Sequence, residues 1–135
     1  MSKNSEILAI KSDKKELEKV EKFLQEIFEK ENLPNQCFNK VYLCISEAVI
    51  NSIEHGNKND RTKEVDIQIN CSRGNLCIEV HDQGDGFDYE LVEDPTTKEN
   101  IKRETGRGIH IMKSLCNQVE FKNRGKSVSI QIDLT

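Results

Sequence analysis

The sequence has no long hydrophobic run and no export signal, and these absences limit the kind of protein it encodes. No stretch approaches the roughly 20 consecutive apolar residues of a membrane-spanning helix. The opening residues, MSKNSE, lack the apolar segment of a signal peptide. We therefore predict a cytoplasmic protein that has no membrane partner.

Paired cysteine motifs are also missing. The five cysteines are Cys37, Cys44, Cys71, Cys77 and Cys116. They form no C-x-x-C pair, so a zinc site has no support. An odd number of cysteines without an export signal is typical of reduced thiols that serve as small apolar side chains.

The chain has no excess of positive charge. Its 20 basic and 24 acidic residues give a formal net charge of −4 and a pI near 5.5. This balance disfavours direct nucleic-acid binding through bulk charge. A length of 135 residues is typical of one domain, and we predict that residues 1–135 form a single domain.

Hydrophobic periodicity predicts an alternation of strands and helices. The predicted elements are a strand at 6–10, helices at 14–30 and 35–55, a hairpin at 64–81, an irregular lid at 83–105, a helix at 106–115 and a second hairpin at 119–134. This order favours an α+β fold, a two-layer sandwich with the helices packed on one face of a mixed, mostly antiparallel sheet.

Local signals predict the ends of the helices. Ser12 or Asp13 is a candidate N-cap of the first helix. Pro34 is expected to end that helix, because the residue before a proline disfavours helical geometry. Gly56 is a candidate C′ residue at the end of the second helix.

Two polar residues interrupt the apolar second helix. Glu47 and Asn51 are four residues apart and therefore share a face, and His55 continues the line. A carboxylate and a carboxamide suit a hard cation, and the carboxylate could also act as a general base. The alternative is an ordinary polar edge of an amphipathic helix. We interpret His55 as a packing residue at the helix end.

A glycine-rich segment directly follows a predicted strand. It runs from Asp82 to Phe87 and contains Gly84 and Gly86. Glycines permit positive φ and close approach of a ligand to the backbone, and Asp82 offers an acceptor at the end of the strand. This pattern indicates a nucleotide site, while a tight turn is the alternative interpretation.

A second pair of glycines precedes the last predicted helix. Gly106 and Gly108 flank Arg107. Helix N-termini bind phosphate through unpaired N–H groups, and an arginine adds a fork of donors. The alternative is a flexible hinge. Neither a P-loop nor a Rossmann fingerprint in its strand–helix setting is present.

Taken in order, the three segments resemble the motifs of the GHKL ATPase superfamily. Ser46–Gly56 resembles its N box, Asp82–Phe87 its G1 box and Gly106–Ile109 its G2 box. The short chain, Asp94–Asn100 and the segment 106–119 are similar to the bacterial anti-sigma-factor serine kinases within it. The resemblance covers residues 6–134 and implies the Bergerat-type ATP-binding fold.

The resemblance also implies roles for individual side chains. Glu47 would be the general base that deprotonates a serine hydroxyl or water, and Asn51 would coordinate Mg²⁺ on the nucleotide phosphates. Asp82 would accept a hydrogen bond from the adenine amino group. Ser127 matches a position near adenine that is often threonine in the superfamily.

The glycines of the two boxes have implied roles as well. Gly84 and Gly86 would line the adenine site and the hinge of the lid. Gly106 and Gly108 would cradle the phosphates, with Arg107 nearby. The cofactors implied are ATP and Mg²⁺.

The function implied is an ATP-dependent serine protein kinase that is also an anti-sigma factor. It would phosphorylate an anti-anti-sigma protein of the STAS type, sequester a sigma factor and work as a homodimer. The main alternative is a non-catalytic ATP-sensing switch module of the same fold. A histidine kinase catalytic domain is disfavoured, because no helical module with a phosphoacceptor histidine is expected in this chain. A structural domain without a ligand is the fourth alternative.

Overall fold

The computed structural model describes residues 4–72, 74–84, 115–122 and 126–134. Helical turns and strands alternate there in the predicted order. The elements are β1 (Asn4–Lys11), a 3₁₀ turn (Lys14–Glu16), α1 (Leu17–Lys30), a 3₁₀ turn (Asn35–Cys37), α2 (Phe38–Asn51), a π-helical turn (Ser52–Gly56), β2 (Glu64–Ser72), β3 (Asn75–His81), β4 (Gln118–Lys122) and β5 (Ser127–Asp133).

The strands form one five-stranded sheet in the order β1-β2-β3-β5-β4. Each described pair of neighbouring strands is antiparallel. Together with the two helices, this sheet confirms the predicted α+β fold with its mostly antiparallel sheet. The central strand is β3, so the residues that follow it emerge in the middle of the sheet.

The hairpin of β2 and β3 forms where the alternating pattern predicts it. Val65, Ile67 and Ile69 of β2 are buried, and the polar residues between them are more exposed. Side chains that alternate in this way bury one face of a sheet and leave the other to solvent. Gly74 has a φ of 81° in the connecting turn, a conformation that residues other than glycine rarely adopt.

Helix α1 buries one apolar stripe at helical spacing, as the hydrophobic periodicity of residues 14–30 predicts. Val20, Leu24, Ile27 and Phe28 are buried against the core. The start is capped by Asp13, whose side chain accepts a hydrogen bond from the backbone N–H of Lys15 at 3.0 Å in the preceding 3₁₀ turn. The structure thereby selects Asp13 over Ser12 as the cap.

The end of α1 differs from the prediction. The helix stops at Lys30, before the residues next to Pro34. Asn32 adopts a φ of 54°, and the N–H of Leu33 donates to Phe28 O at 2.9 Å. A left-handed asparagine with such a reversed hydrogen bond ends a helix on its own. The proline therefore follows the termination and does not cause it.

Helix α2 supplies the centre of the helical layer. Val41, Cys44, Ile45, Ala48 and Val49 are almost completely inaccessible to solvent. Burying each larger side chain contributes about 1.5–3 kcal/mol to folding. This burial holds α2 against the sheet and thereby fixes the direction in which its C-terminal end points.

The cysteines are all free, and two of them meet in the core. The thiol of Cys116 lies 2.7 Å from that of Cys44 in α2. Cys116 follows the segment where a lid and a third helix are predicted. Apart from Gln83, Gly84 and Leu115, that segment lies outside the described residues. None of the helices in the described ranges is long and apolar enough to cross a membrane.

Candidate functional site

The last turn of α2 carries the first two candidate residues. Glu47 is half-buried, and Asn51, four residues later, is the final residue of the helix and only 5% exposed. The structure thus keeps both on one helical face, as their spacing predicts. Within the described ranges, Asn51 Nδ2 is buried and has no hydrogen-bond partner.

The helix continues into a π turn at Ser52–Gly56. Its wider ring closes through the N–H of Asn57, which donates to Ser52 O at 2.8 Å. Glu54 in this turn forms an ion pair with Lys14, which ties the turn to the start of the first helical segment. Isolated π turns occur frequently at functional sites, because they re-aim the chain by one extra residue.

Asp82 follows β3 and faces this turn. It is 9% exposed, and its backbone N–H donates to Lys126 O at 2.9 Å. The carboxylate oxygen Oδ1 accepts from the Gly84 N–H at 2.9 Å. The other oxygen, Oδ2, is buried and has no partner in the part of the chain that the structure describes.

Burial raises the pKa of the Asp82 carboxyl above its ordinary value. The Gly84 N–H and the positive charge of Lys126 act in the opposite direction and favour the ionised form. A buried carboxylate with one oxygen satisfied and the other unpaired is a hydrogen-bond acceptor suited to a donor on a ligand.

Two glycines bring the π turn and Asp82 into contact. A Cβ on Gly56 would overlap the Asp82 carboxylate, and a Cβ on Gly84 would overlap the backbone oxygen of Gly56. Gly56 lies inside the π turn, and its φ is not positive. The prediction that Gly56 is the C′ residue is therefore wrong, and close approach is the reason for a glycine there.

Ser127 begins β5 and pairs in register with His81. Its hydroxyl lies 2.7 Å from His81 Nδ1, and His81 Nε2 lies 3.2 Å from Glu79 Oε1. The structure therefore brings Ser127 to the strand that ends at Asp82, with its hydroxyl directed to His81. The contact of Ser127 with adenine stays a prediction.

Four candidate residues lie outside the described residues. They are Gly86, Gly106, Arg107 and Gly108. Their roles at the adenine site and at the phosphates stay predictions. Of the other candidates, Glu47 and Asn51 lie on α2, Asp82 and Gly84 directly follow β3, and Ser127 lies opposite His81 at the start of β5.

Asn57 is buried beside the site, although its sequence context does not predict this. This residue belongs to a segment that reads as a polar loop, yet its side chain is 1% exposed and hydrogen-bonded on both polar atoms. The local pattern gives no signal for this burial. Its position directly after the helical segment and before a charged turn is the only hint.

Comparison with known proteins gives three findings. The family model described as a histidine kinase-like ATPase domain matches residues 10–132. Serine-protein kinase RsbW of Bacillus subtilis strain 168 is 29% identical over 87 residues, which are 60% of this chain and 54% of the relative. Serine-protein kinase RsbW of Staphylococcus aureus strain JH9 is 33% identical over 96 residues, which are 65% of this chain and 60% of the relative. The matched part of this chain thus spans little more than half the length of these curated relatives.

A solved structure has the same fold. A crystal structure of the RsbU and RsbW domains of Rv1364c from Mycobacterium tuberculosis superposes with a TM-score of 0.62. The match covers 96% of this chain and 31% of that chain at 14% sequence identity. At this identity the likeness concerns the fold alone.

Proposed function

The chain belongs to the histidine kinase-like ATPase domain family, and from this premise we propose that it is an ATP-dependent serine protein kinase and anti-sigma factor. Family membership implies an ATP-binding domain. In the proposed reaction, the γ-phosphoryl group of ATP passes to a serine of a STAS-type anti-anti-sigma partner. The same protein would sequester a sigma factor and act as a homodimer in the cytoplasm.

The observation that supports this proposal most directly is the pair of unsatisfied buried polar atoms. Asn51 Nδ2 and Asp82 Oδ2 lack partners among residues 4–72, 74–84, 115–122 and 126–134. Leaving a buried polar group unpaired costs about 1–3 kcal/mol. Such a cost is typical of residues kept for binding, and the Asp82 carboxylate lies directly against Gly56, five residues after Asn51.

Asp82 fits an adenine base. The exocyclic amino group of adenine is a donor, and Asp82 Oδ2 is a buried acceptor. Because the backbone of Asp82 is held by Lys126 O and its Oδ1 by the Gly84 N–H, the acceptor is fixed before the base arrives. Guanine carries an oxygen at the same ring position, and this second acceptor would be repelled by the carboxylate.

Asn51 fits a role at the metal-bound phosphates. Its carboxamide provides an oxygen of the kind that Mg²⁺ accepts, and Mg²⁺ takes most of its other ligands from phosphates and water. Among the described residues, no group of three His, Cys, Asp or Glu side chains forms a ready metal site. Bound Mg²⁺ would neutralise phosphate charge during transfer.

Glu47 is the proposed general base. It lies one helical turn before Asn51 on the same face, so a serine hydroxyl that approaches the γ-phosphate would meet its carboxylate. Glu47 would accept the hydroxyl proton as the oxygen attacks. Gly106, Arg107 and Gly108 would hold the phosphates through backbone N–H groups and a guanidinium.

The test is transfer of radiolabelled phosphate from ATP to serine in a panel of purified STAS-domain proteins. Glu47→Gln should lower the transfer rate about 10²–10⁴-fold, the usual contribution of a general base. ATP affinity, measured by calorimetry, should stay within about threefold, because phosphate and base contacts do not involve Glu47.

Glu26→Gln is the matched control. It makes the same change of charge on the exposed side of α1 and should leave the transfer rate unaltered. Undiminished transfer in Glu47→Gln would contradict the catalytic assignment. ATP binding by the wild-type protein without transfer to any partner would instead favour the ATP-sensing switch.

A further inference from the structure

Asn57 is the centre of a buried hydrogen-bond network beside the candidate site. Its Nδ2 donates to Ser12 Oγ at 2.7 Å and to Glu64 O at 3.0 Å. Its Oδ1 accepts from the backbone N–H of Gln83 at 2.8 Å. With 1% of its surface exposed, this side chain exchanges nearly all contact with water for contacts within the protein.

The partners of Asn57 are also tied to one another. Ser12 Oγ donates to Lys63 O at 2.7 Å, and the N–H of Glu64 donates to Gln83 Oε1 at 2.6 Å. One carboxamide therefore joins the end of β1, the start of β2 and the residue after Asp82. A fully satisfied buried network of this kind rigidifies the segments that it connects.

The network meets the site at the backbone of Gln83. Asp82, one residue earlier, is anchored by the carbonyl oxygen of Lys126, which directly precedes the neighbouring strand β5. Gln83 is anchored by Asn57, and Gly84 is packed against the backbone of Gly56. Asp82 Oδ2 has no partner of its own within the described ranges, so its position is set by these neighbours.

We propose that Asn57 is a positioning residue for base recognition, which holds Gln83 so that the Asp82 carboxylate meets the amino group of adenine. This inference rests on the proposed function, because it takes Asp82 as the contact to the base. It adds that selectivity for adenine over guanine depends on a residue that does not touch the nucleotide.

The effect should concern selectivity more than total affinity. The phosphates are expected to bind elsewhere, at Asn51 and at the predicted glycine segment near residue 106. A displaced Asp82 carboxylate would lose its hydrogen bond to adenine and would repel the guanine oxygen less strongly. Affinity for ATP would fall, while affinity for GTP would change little or rise, because selectivity is a difference between two affinities.

The experiment compares dissociation constants for MgATP and MgGTP by calorimetry in the full chain. The wild type should prefer ATP, and Asn57→Ala should reduce this preference at least about 10-fold, since polar sites discriminate strongly only while their polar groups are positioned. GTP affinity should stay within about threefold. Circular dichroism checks folding, and Asn57→Ser replaces Asn57→Ala if the alanine variant does not fold.

Ser12→Ala is the matched control. It removes the distal partner of Asn57 and weakens the network, but leaves the bond from the Gln83 N–H to Asn57 Oδ1. Its preference for ATP should stay within about twofold of the wild type even though its stability falls. A merely structural role of Asn57 would affect both variants alike.

The outcomes separate the two proposals. If the wild type binds MgATP selectively and the Asn57 variants keep the wild-type preference, the positioning role is overturned and the proposed function stands. If Ser12→Ala loses as much preference as Asn57→Ala, general loosening explains both and the positioning role is overturned as well. If the wild type shows no heat with MgATP, the proposed function fails and this inference fails with it.

Discussion

Two buried asparagines near the end of α2 have opposite surroundings. The carboxamide of Asn57 makes three hydrogen bonds to other parts of the chain. Asn51, the last residue of α2, has a buried Nδ2 without a partner among the described residues. A satisfied amide supports the fold, whereas an unsatisfied one lowers its stability. The comparison indicates that Asn57 supports the structure of the site, whereas Asn51 is available to bind a ligand.

Asp82 belongs with Asn51 in this comparison. Burial raises its pKa, and one of its oxygens is without a partner in the described part of the chain. Binding residues of this kind commonly cost stability, so their removal can stabilise a protein while it abolishes function. Substitutions can test whether Asn57 stabilises the fold while Asn51 and Asp82 lower its stability, as their contacts indicate.

The largest effect on stability is expected at the close contact between Gly84 and Gly56. Gly84→Ala should lower the free energy of unfolding by about 3 kcal/mol, because its Cβ would overlap the backbone of Gly56. Urea denaturation measures this change. Gly74→Ala is the control, where only the positive φ is strained and a loss of about 1 kcal/mol is expected. Equal losses in the two variants would argue against the close contact.

The asparagine pair gives the next effect. Asn57→Ala should lower the free energy of unfolding by about 2 kcal/mol, because the Gln83 N–H and Ser12 Oγ lose a buried partner. Asn51→Ala should change it by less than about 1 kcal/mol, since its Nδ2 contributes no hydrogen bond. Urea denaturation of both variants at the same pH checks the order. A larger loss from Asn51→Ala would reverse the comparison.

Asp82→Asn should give a smaller change than Asn57→Ala, and in the stabilising direction. The pKa of Asp82 is raised above its ordinary 3.8 in the folded state, so the folded protein binds this proton more tightly than the unfolded chain does. The free energy of unfolding therefore falls as the pH rises from below 3.8 through the raised pKa, and it stays lower above that value.

The variant removes this pH-dependent loss. At pH 7, Asp82→Asn should have a higher free energy of unfolding than the wild type, and the difference should shrink as the pH falls below the pKa of the folded state. Paired urea titrations across acidic and neutral pH isolate the contribution of Asp82, since the other carboxyl groups are common to both proteins. A destabilised variant at pH 7 would contradict the view that Asp82, like Asn51, lowers the stability of the fold.

Most of the fold could be predicted from local pattern. The stripe of Val20, Leu24 and Ile27 and the alternation in β2 and β3 determine which faces are buried, and the structure confirms both. The family match likewise confirms the resemblance to this superfamily. These features are local in sequence, so each can be recognised within a short window.

The features that escaped prediction depend on contacts between distant residues. Asn57 is buried because Ser12 and Gln83, 45 and 26 residues away in sequence, supply its partners. Gly56 needs to be a glycine because of Asp82, which directly follows the central strand, and no local signal distinguishes this from a helix cap. The strand order β1-β2-β3-β5-β4 is also a property of the assembled sheet.

The π turn makes the number of residues between Asn51 and Gly56 a constraint in its own right. Each residue advances a helix by about 100°, so deleting one residue from 52–56 would let an ordinary α-helix continue but rotate everything after it. Asn51 would keep its direction, whereas Gly56 would swing away from Asp82. The spacing of these two positions is thus constrained by the close contact between Gly56 and Asp82.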